Sequence, residues 1–231
     1  MVTILLPIYN DEKYINFTVQ SILSQTYQNY NCIIGFNGTI DSSKEIVNSL
    51  VGNNEKFTIL DYGDESGKAL TLNKMLKFVK TEFVCLIDGD DIWKSDKLET
   101  QINYINEYPT TDVIGTFATY INENNLAFFN LDLVTEDYNI RSHILNGNNQ
   151  IVNSSCFVRT ECVNEISGWD HQIEGLEDYD FWVKLAKREK KFYNIPQYLV
   201  YHRVHQNSNF NSKNLPYTTT DILIKNNIYA N

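Results

Sequence analysis

The stretch "FVCLIDGDDIW", Phe83 to Trp93, joins an apolar run to a cluster of acids. Its opening run, "FVCLI", is typical of a short buried strand. Asp88, Asp90 and Asp91 follow at once. Like charges this close repel one another and are costly to desolvate unless a positive group lies among them. The stretch therefore predicts a buried strand that ends at a cation site.

The segments before this stretch repeat one pattern, an apolar run followed by a helical face. "VTILLPIY", "YNCIIGFNG" and "FTILDY" are the runs, and Ile15, Val19 and Ile22 form the first helical face. Strand and helix thus alternate four times within residues 1–110. This alternation predicts an α/β fold, a doubly wound, Rossmann-like mixed sheet that is mostly parallel in its N-terminal half, with helices on both faces.

The rest of the chain is less regular and predicts an extension of the same sheet. "DVIGTFATYI", "SSCFVRT" and "YLVYHRVH" are strand-like, and "YDFWVKLAKREK" has the pattern of an amphipathic helix. We expect a single domain over residues 1–210, with halves at 1–110 and 111–210. Residues 211–231 are polar with a weak helical pattern, which leaves a C-terminal helix or a tail as alternatives.

Composition excludes several classes of partner. The net charge is -10 and no basic stripe appears, which argues against nucleic acid as a partner. Four cysteines without a C-x-x-C pair indicate a reducing compartment. The N-terminus lacks the features of a signal peptide, and no apolar run approaches the roughly 18 residues of a membrane span. We expect a cytoplasmic protein.

Three polar clusters follow predicted strands: Tyr9 to Asp11, Asn37-Gly38, and Asp88 to Asp91. Ligands of open α/β sheets bind at the carboxyl ends of strands, so the three clusters predict one site. Carboxylates suit Mg²⁺ or Mn²⁺. The alternative is a loop of solvated acids. An EF-hand fails because its sixth position would be Trp93, and a phosphatase loop would continue with Gly-Thr.

Phosphates would have to be held without the common glycine-rich loops. No G-x-G-x-x-G follows the first strand, and "GDESGKA" departs from a P-loop in its first glycine and in Ala69. Lys68 is a candidate for pairing with a nucleotide phosphate, with a solvated lysine as the alternative. Trp93 is either a core residue or the wall of a sugar pocket.

A second acidic cluster, Glu177, Asp178 and Asp180, opens the predicted late helix. Simple capping at the helix N-terminus is one interpretation. If the first cluster holds a metal diphosphate, a base for transfer is the other. His202 and His205 lie three apart on a predicted strand, so we expect at most one of them to face a site.

The chain resembles the family-2 glycosyltransferases of GT-A fold over roughly residues 2–205. Each matching motif is weak alone, but together they follow the order of the family: "PIYN" at Pro7 to Asn10, "NGTID" at Asn37 to Asp41, "GKALTLN" at Gly67 to Asn73, "DGDDIW" at Asp88 to Trp93, "EDYDFW" at Glu177 to Trp182, and "RVH" at Arg203 to His205. The resemblance implies a nucleotide-sugar-binding half before residue 110 and an acceptor-binding half after it.

The resemblance also implies a role for each matching residue. Its nucleotide site comprises Pro7 and Tyr9 at the base, Asn37 at the base edge, Lys68 near the nucleotide, and Asp88 at the ribose or the metal. Its remaining roles are Asp90 as main ligand of Mn²⁺ or Mg²⁺, His205 completing the metal shell, and Asp178 as catalytic base. Apart from the resemblance, we expect Glu177 and Trp93 in the acceptor or sugar pocket.

The implied activity is inverting transfer of a sugar from a nucleotide-diphosphate donor to a hydroxyl of a glycan, glycolipid or lipid-linked acceptor, as in polysaccharide biosynthesis. UDP is the favoured nucleotide, although Phe36 and Asn37 stand where the family has two aspartates. Lys184 replaces a common arginine. Peripheral association with the inner face of the membrane, through the acceptor or a C-terminal segment, is compatible with this activity. The alternatives are a sugar-nucleotidyltransferase, which would want a Gly-rich loop with Arg after the first strand, and a non-catalytic sugar-nucleotide-binding domain.

Overall fold

The computed structural model describes residues 1–63, 67–173, 175–205 and 217–228. These residues build a nine-stranded mixed sheet of order β3-β2-β1-β4-β8-β6-β9-β5, with β7 paired to β6. The strands are β1 Val2–Ile8, β2 Tyr30–Phe36, β3 Phe57–Asp61, β4 Phe83–Leu86, β5 Ile92–Trp93, β6 Val113–Ile121, β7 Ala127–Leu131, β8 Phe157–Arg159 and β9 Phe192–Arg203. The helices are α1 Ile15–Leu23, α2 Ser43–Val51, α3 Lys68–Leu76, α4 Lys97–Glu107, α5 Asp137–Leu145, α6 Thr160–Glu165, α7 Glu177–Lys187 and α8 Thr219–Lys225.

The first four strands form the parallel part of the sheet. In β1, Leu5 pairs with Ile33 of β2 on one side and with Leu86 of β4 on the other. β3 adds to the outer edge of β2, also in parallel. The carboxyl ends of β1, β2 and β4 therefore lie along one edge, as the sequence predicts.

Side chains that alternate along β1 divide the interior into two cores. Ile4 and Leu6 pack with residues of α1, α2 and α4, whereas Leu5 packs with residues of α3, α5, α7 and α8. All three side chains are fully buried, and each such burial contributes roughly 1.5–3 kcal/mol. Helices thus cover both faces of the sheet, which confirms the predicted α/β fold class.

The second half is mixed, as expected, but its elements differ in detail. β6 runs parallel to β9 and antiparallel to β7 and β8. The strand predicted in "SSCFVRT" is limited to Phe157–Arg159, because residues Asn153–Ser155 form a short 3₁₀ helix. The strand predicted in "YLVYHRVH" begins earlier, at Phe192. The elements β7, α5 and α6 were absent from the prediction.

The sequence left a helix or a tail as alternatives for residues 211–231, and the described part of this segment contains a helix, α8. Its Ile222 and Leu223 are buried in the core beside α7. Lys225 Nζ lies 2.6 Å from Asp170 Oδ2, and Asn226 Nδ2 donates to Asp180 Oδ1 at 2.8 Å. The helix is thus packed against the core that contains residues of α3, α5 and α7, while residues 206–216 and 229–231 lie outside the described ranges. Within those ranges, no helix has the length and apolar character needed to span a bilayer.

Candidate active site at the strand ends

A cleft of 1360 Å³ runs along the carboxyl ends of the parallel strands. It gathers side chains that are far apart in the sequence. Of the sequence-predicted site residues, it is lined by Pro7, Tyr9, Asn37, Lys68, Asp88, Asp90, Glu177, Asp178 and His205. The parallel register explains this convergence, because the loops after β1, β2 and β4 all leave the sheet at the same edge.

One end of the cleft is formed by the residues after β1 and β2. Tyr9 is 59% exposed, whereas Asn37 is only 5% exposed. The backbone N–H of Asn37 donates to the Ile8 carbonyl at 3.0 Å, which holds the two strand ends together. Asn37 Oδ1 is buried without a hydrogen-bond partner among the described residues. A buried acceptor of this kind is costly unless a ligand donates to it.

Lys68 and Asp88 form an ion pair in the middle of the cleft. Lys68 is the first residue of α3, and its Nζ lies 2.5 Å from Asp88 Oδ1. Burial opposes the charge of Lys68, but Asp88 and Glu177 outweigh it and hold the lysine pKa above its usual value. The Asp88 backbone N–H donates to Ser154 Oγ at 3.0 Å. Lys68 is therefore held in its charged form at a fixed position beside the opposite charge of Asp88.

Asp90 and His205 meet at the next position along the cleft. His205 Nε2 lies 3.0 Å from Asp90 Oδ2. Two neighbouring ligands about 2.1 Å from an octahedral ion would be about 3.0 Å apart, so the two atoms fit adjacent positions of one Mg²⁺ or Mn²⁺ shell. Burial, and then the charges of Asp91 and Asp88, raise the pKa of Asp90, while His205 opposes the rise. A cation would relieve this excess negative charge.

Asp11, to which the sequence assigned no individual role, is a further carboxylate of this region. Burial, followed by repulsion from Asp90, raises its pKa to about 7. Its Oδ2 accepts from the Tyr9 backbone N–H at 3.1 Å and lies against Gly89. A Cβ at residue 89 would be 2.2 Å from Asp11 Oδ2, so any larger residue there would force the Asp11 side chain to move. The signal in the sequence was the position of Asp11 just after the first strand.

Asp91 orients the loop rather than facing a ligand. Its side chain is fully buried. Oδ1 accepts from the Arg203 backbone N–H at 2.8 Å, and Oδ2 lies 3.1 Å from His202 Nδ1. The Arg203 side chain donates in turn to the Asp90 carbonyl at 2.8 Å. These contacts tie the acidic loop to the end of β9.

The prediction that at most one histidine faces the site is corrected. His202 contacts Asp91 and His205 contacts Asp90, and both line the cleft. The alternation of a strand does not apply, because β9 ends at Arg203 and His205 lies beyond it.

The prediction that Trp93 walls a sugar pocket is also corrected. Trp93 is 2% exposed and is absent from the lining of the cleft. Its indole N–H donates to the Ser154 carbonyl at 2.6 Å, and Lys97 Nζ lies 4.0 Å from its ring centroid. The tryptophan lies in β5, the edge strand that pairs with β9, and its side chain packs in the core that includes residues of α1 and α4.

Glu177 and Asp178 begin α7 at the far end of the cleft. Burial, and then the neighbouring Glu177, raise the pKa of Asp178 to about 6, with Lys68 opposing the rise. Such a carboxyl is still mostly ionised at neutral pH and is more basic than an ordinary aspartate. Asp180 is not part of the cleft, since it is fully buried and lies 2.6 Å from Lys184 Nζ.

A separate group of Asp112, Glu161 and Cys162 has its potential ligand atoms within 4.8 Å of one another. None of the three residues lines the cleft. Asp112 Oδ2 already accepts from the Lys191 backbone N–H at 2.8 Å, and burial raises the pKa of the Cys162 thiol to about 12. We assign this group a structural role.

Comparison with known proteins identifies the family. A model described as Glycosyl transferase family 2 matches residues 3–165. Glycosyltransferase GlyG of Streptococcus pneumoniae is 30% identical over 129 residues, which are 56% of this chain and 43% of that protein.

Solved structures give the same fold. S. aureus TarS 1–349 in complex with UDP-GlcNAc has a TM-score of 0.75 at 16% identity, covering 93% of this chain and 61% of that one. Mannosyltransferase PcManGT from Pyrobaculum calidifontis, in complex with GDP-Man and Mn²⁺, has a TM-score of 0.68 at 18% identity, covering 90% and 58%. This chain therefore spans less than two thirds of each of these three relatives. On its family match and its GT-A fold, the chain belongs to glycosyltransferase family 2.

Proposed function

We propose that this glycosyltransferase moves a sugar from a nucleotide-diphosphate donor to an acceptor hydroxyl with inversion. The proposal rests on the set of groups that line one cleft. They are an amide with an unpaired oxygen among the described residues, a lysine–aspartate ion pair, a candidate metal pair, and a carboxylate of raised pKa. A nucleotide, a diphosphate and a reacting sugar would need these groups in one site.

The donor is proposed to be a UDP-sugar. Asn37 Oδ1 needs a hydrogen-bond donor, and the amide also carries N–H groups. Asn37 can therefore match both the N–H and a carbonyl of uracil, with Pro7 and Tyr9 beside the base. TarS was solved with UDP-GlcNAc, which agrees with this choice, whereas PcManGT was solved with GDP-Man. The proposed transferred group is a hexosyl or N-acetylhexosaminyl group.

The diphosphate is proposed to lie over Asp90, His205 and Lys68. Asp90 and His205 would hold Mn²⁺ or Mg²⁺, with Asp88 as a further ligand or a ribose contact. When bound, the metal would offset charge on the diphosphate leaving group. Lys68 adds a fixed positive charge from the other side, and Asp88 keeps it in place at 2.5 Å.

Asp178 is the proposed general base. Its carboxylate would take the proton of the acceptor hydroxyl as the hydroxyl attacks the anomeric carbon from the face opposite the leaving group. Glu177 beside it is proposed to contact the sugar or the acceptor. Holding donor and acceptor in line supplies much of the remaining acceleration.

The acceptor is proposed to be a glycan or lipid-linked glycan of a surface polysaccharide, handled in the cytoplasm or at the inner face of the membrane. The cleft continues past the donor groups to Tyr120, Leu131 and Leu133, which are suited to a partly apolar acceptor.

Hydrolysis of nucleotide sugars without acceptor tests the proposal. The wild-type protein with Mn²⁺ should slowly hydrolyse at least one UDP-sugar, and Asp178→Asn should lower the turnover of this hydrolysis by roughly 10²–10⁴-fold while nucleotide binding persists. Asp96→Asn, at an exposed position outside the cleft, is the matched control. Unchanged turnover of Asp178→Asn would remove Asp178 as base, and absence of any hydrolysis would favour a pure binding domain.

A further inference from the structure

The short 3₁₀ helix of residues Asn153–Ser155 brings one more polar side chain to the cleft, that of Asn153. Sequence analysis gave it no role. Asn153 is 9% exposed, yet its Oδ1 has no hydrogen-bond partner among the described residues. A buried amide oxygen without a donor is unfavourable, and such a group in a native cleft calls for a ligand that donates.

The orientation of the amide follows from its neighbour. Asn153 Nδ2 lies 3.5 Å from both Asp88 Oδ1 and Asp88 Oδ2. An ionised carboxylate can only accept hydrogen bonds, so the amide nitrogen must face Asp88 and the amide oxygen must face away. Oδ1 is therefore the amide atom that is left without a hydrogen-bond donor among the described residues.

The turn that carries Asn153 is held on several sides. Ser154 Oγ accepts from the Asp88 N–H at 3.0 Å, and the Ser154 carbonyl accepts from Trp93 Nε1 at 2.6 Å. The Ser155 carbonyl accepts from Gln101 Nε2 at 2.8 Å, and Ser155 Oγ accepts from the Thr116 N–H at 3.1 Å. With its partners buried, the turn cannot easily rotate to satisfy Oδ1 elsewhere. Asn153 is thus prepositioned in the free protein.

Building on the proposed function, we infer that Asn153 Oδ1 accepts a hydrogen bond from a sugar-ring hydroxyl of the nucleotide-sugar donor, making Asn153 a specificity-determining residue. Asn153 lines the cleft beside Asp88, and the hydroxyls of a carbohydrate ring are hydrogen-bond donors that would satisfy its Oδ1. Both the ribose of the nucleotide and the transferred sugar carry such hydroxyls. A site that presents a buried hydrogen-bond acceptor discriminates against ligand analogues that lack the matching hydroxyl, because the hydrogen-bond acceptor is then left unpaired.

Calorimetric titration can test this with two sets of ligands. The first set is UDP with its 2′-deoxy and 3′-deoxy analogues, and the second is the UDP-hexose that the wild type binds with its ring-deoxy analogues, all in Mn²⁺. We expect the analogue that lacks the hydroxyl contacted by Asn153 to bind the wild type about fivefold or more weakly than the parent ligand does. The same analogue should bind Asn153→Ala nearly as tightly as the parent ligand does. If the substitution and a hydroxyl deletion are coupled in the first set, the contact of Asn153 is to the ribose. If they are coupled in the second set, the contact is to the transferred sugar.

The controls separate ligand contact from a structural role. Asn148→Ala, at an exposed asparagine outside the cleft lining, should respond to every deletion as the wild type does. Asn153→Ser is the second variant if the alanine variant fails to fold. If the Asn153→Ala substitution and every hydroxyl deletion add independently, Asn153 contacts none of these hydroxyls and the inference is overturned. If the wild type binds no nucleotide or nucleotide sugar, the proposed function fails and the inference fails with it.

Discussion

At the scale of residues, Asp178 differs from an ordinary surface aspartate because burial and Glu177 raise its pKa to about 6. A general base works only when ionised, so kcat/KM should fall as the pH drops through about 6 and level off above it. Glu177→Gln removes the neighbouring negative charge, which lowers the pKa of Asp178. The fall in kcat/KM should therefore occur at lower pH in this variant. Initial rates between pH 4.5 and 8 provide the measurement. A wild-type profile that stays flat down to pH 4.5 contradicts the assignment.

Gly89 gives a second prediction at this scale. Gly89→Ala forces a Cβ towards Asp11 Oδ2, at 2.2 Å in the present geometry. We expect a loss of about 1–3 kcal/mol in the free energy of unfolding, typical of overpacking. In an Asp11→Ala background, the same substitution should cost much less, because the clashing carboxylate is gone. Chemical denaturation of the four proteins measures the coupling. Equal costs in both backgrounds would show that Asp11 does not constrain residue 89.

The sequence predicted which residues line the cleft where they follow a parallel strand, and missed them where their position depends on a distant crossover. Asn37, Asp88 and Asp90 come directly after strands, and the strand order brings them to one edge. Asn153 reaches the cleft only because β8 inserts antiparallel beside β4, which no local pattern indicates. Trp93 was ambiguous in the sequence, because an aromatic residue after an acidic turn fits both a core and a sugar pocket.

At the scale of elements, α8 combines buried and exposed isoleucines in one helical turn. Ile222 is fully buried, whereas Ile224 is 56% exposed. Ile222→Ala should lower the free energy of unfolding by about 2–5 kcal/mol, because it removes a core side chain and leaves a cavity. Ile224→Ala, the matched control, should change it by no more than about 0.5 kcal/mol. A cost for Ile222→Ala as small as that of the control would mean that α8 does not fold with the core.

Elements with strong hydrophobic periodicity were found from the sequence, and those without it were missed. The strands β1, β2 and β4 are nearly uniform apolar runs because both of their faces are covered. By contrast, β7 is almost entirely exposed and carries no alternation of burial. In α5 just two positions, Ile140 and Ile144, are buried, which is too short a stripe to recognise. The positions of these elements are set by contacts with β6 and α7.

At the scale of the whole molecule, the cleft that is proposed to bind a cation gathers many of the acidic side chains. The net charge is -10, and the cleft alone brings together Asp11, Asp88, Asp90 and Asp178. The raised pKa values of Asp11, Asp90 and Asp178 all reflect burial together with these mutual repulsions. These carboxylates would attract a divalent ion that carries a diphosphate, whereas they would repel a diphosphate without a metal ion.

Calorimetric titration of UDP into the wild-type protein and Asp90→Ala, each with and without Mn²⁺, tests this account most directly. We predict that Mn²⁺ strengthens UDP binding to the wild type and has little effect on UDP binding to Asp90→Ala. Asp96→Asn, exposed and outside the cleft, should behave as the wild type does. If Asp90→Ala keeps the same dependence on Mn²⁺ as the wild type, the acidic loop after β4 is not the metal site and the central claim is contradicted.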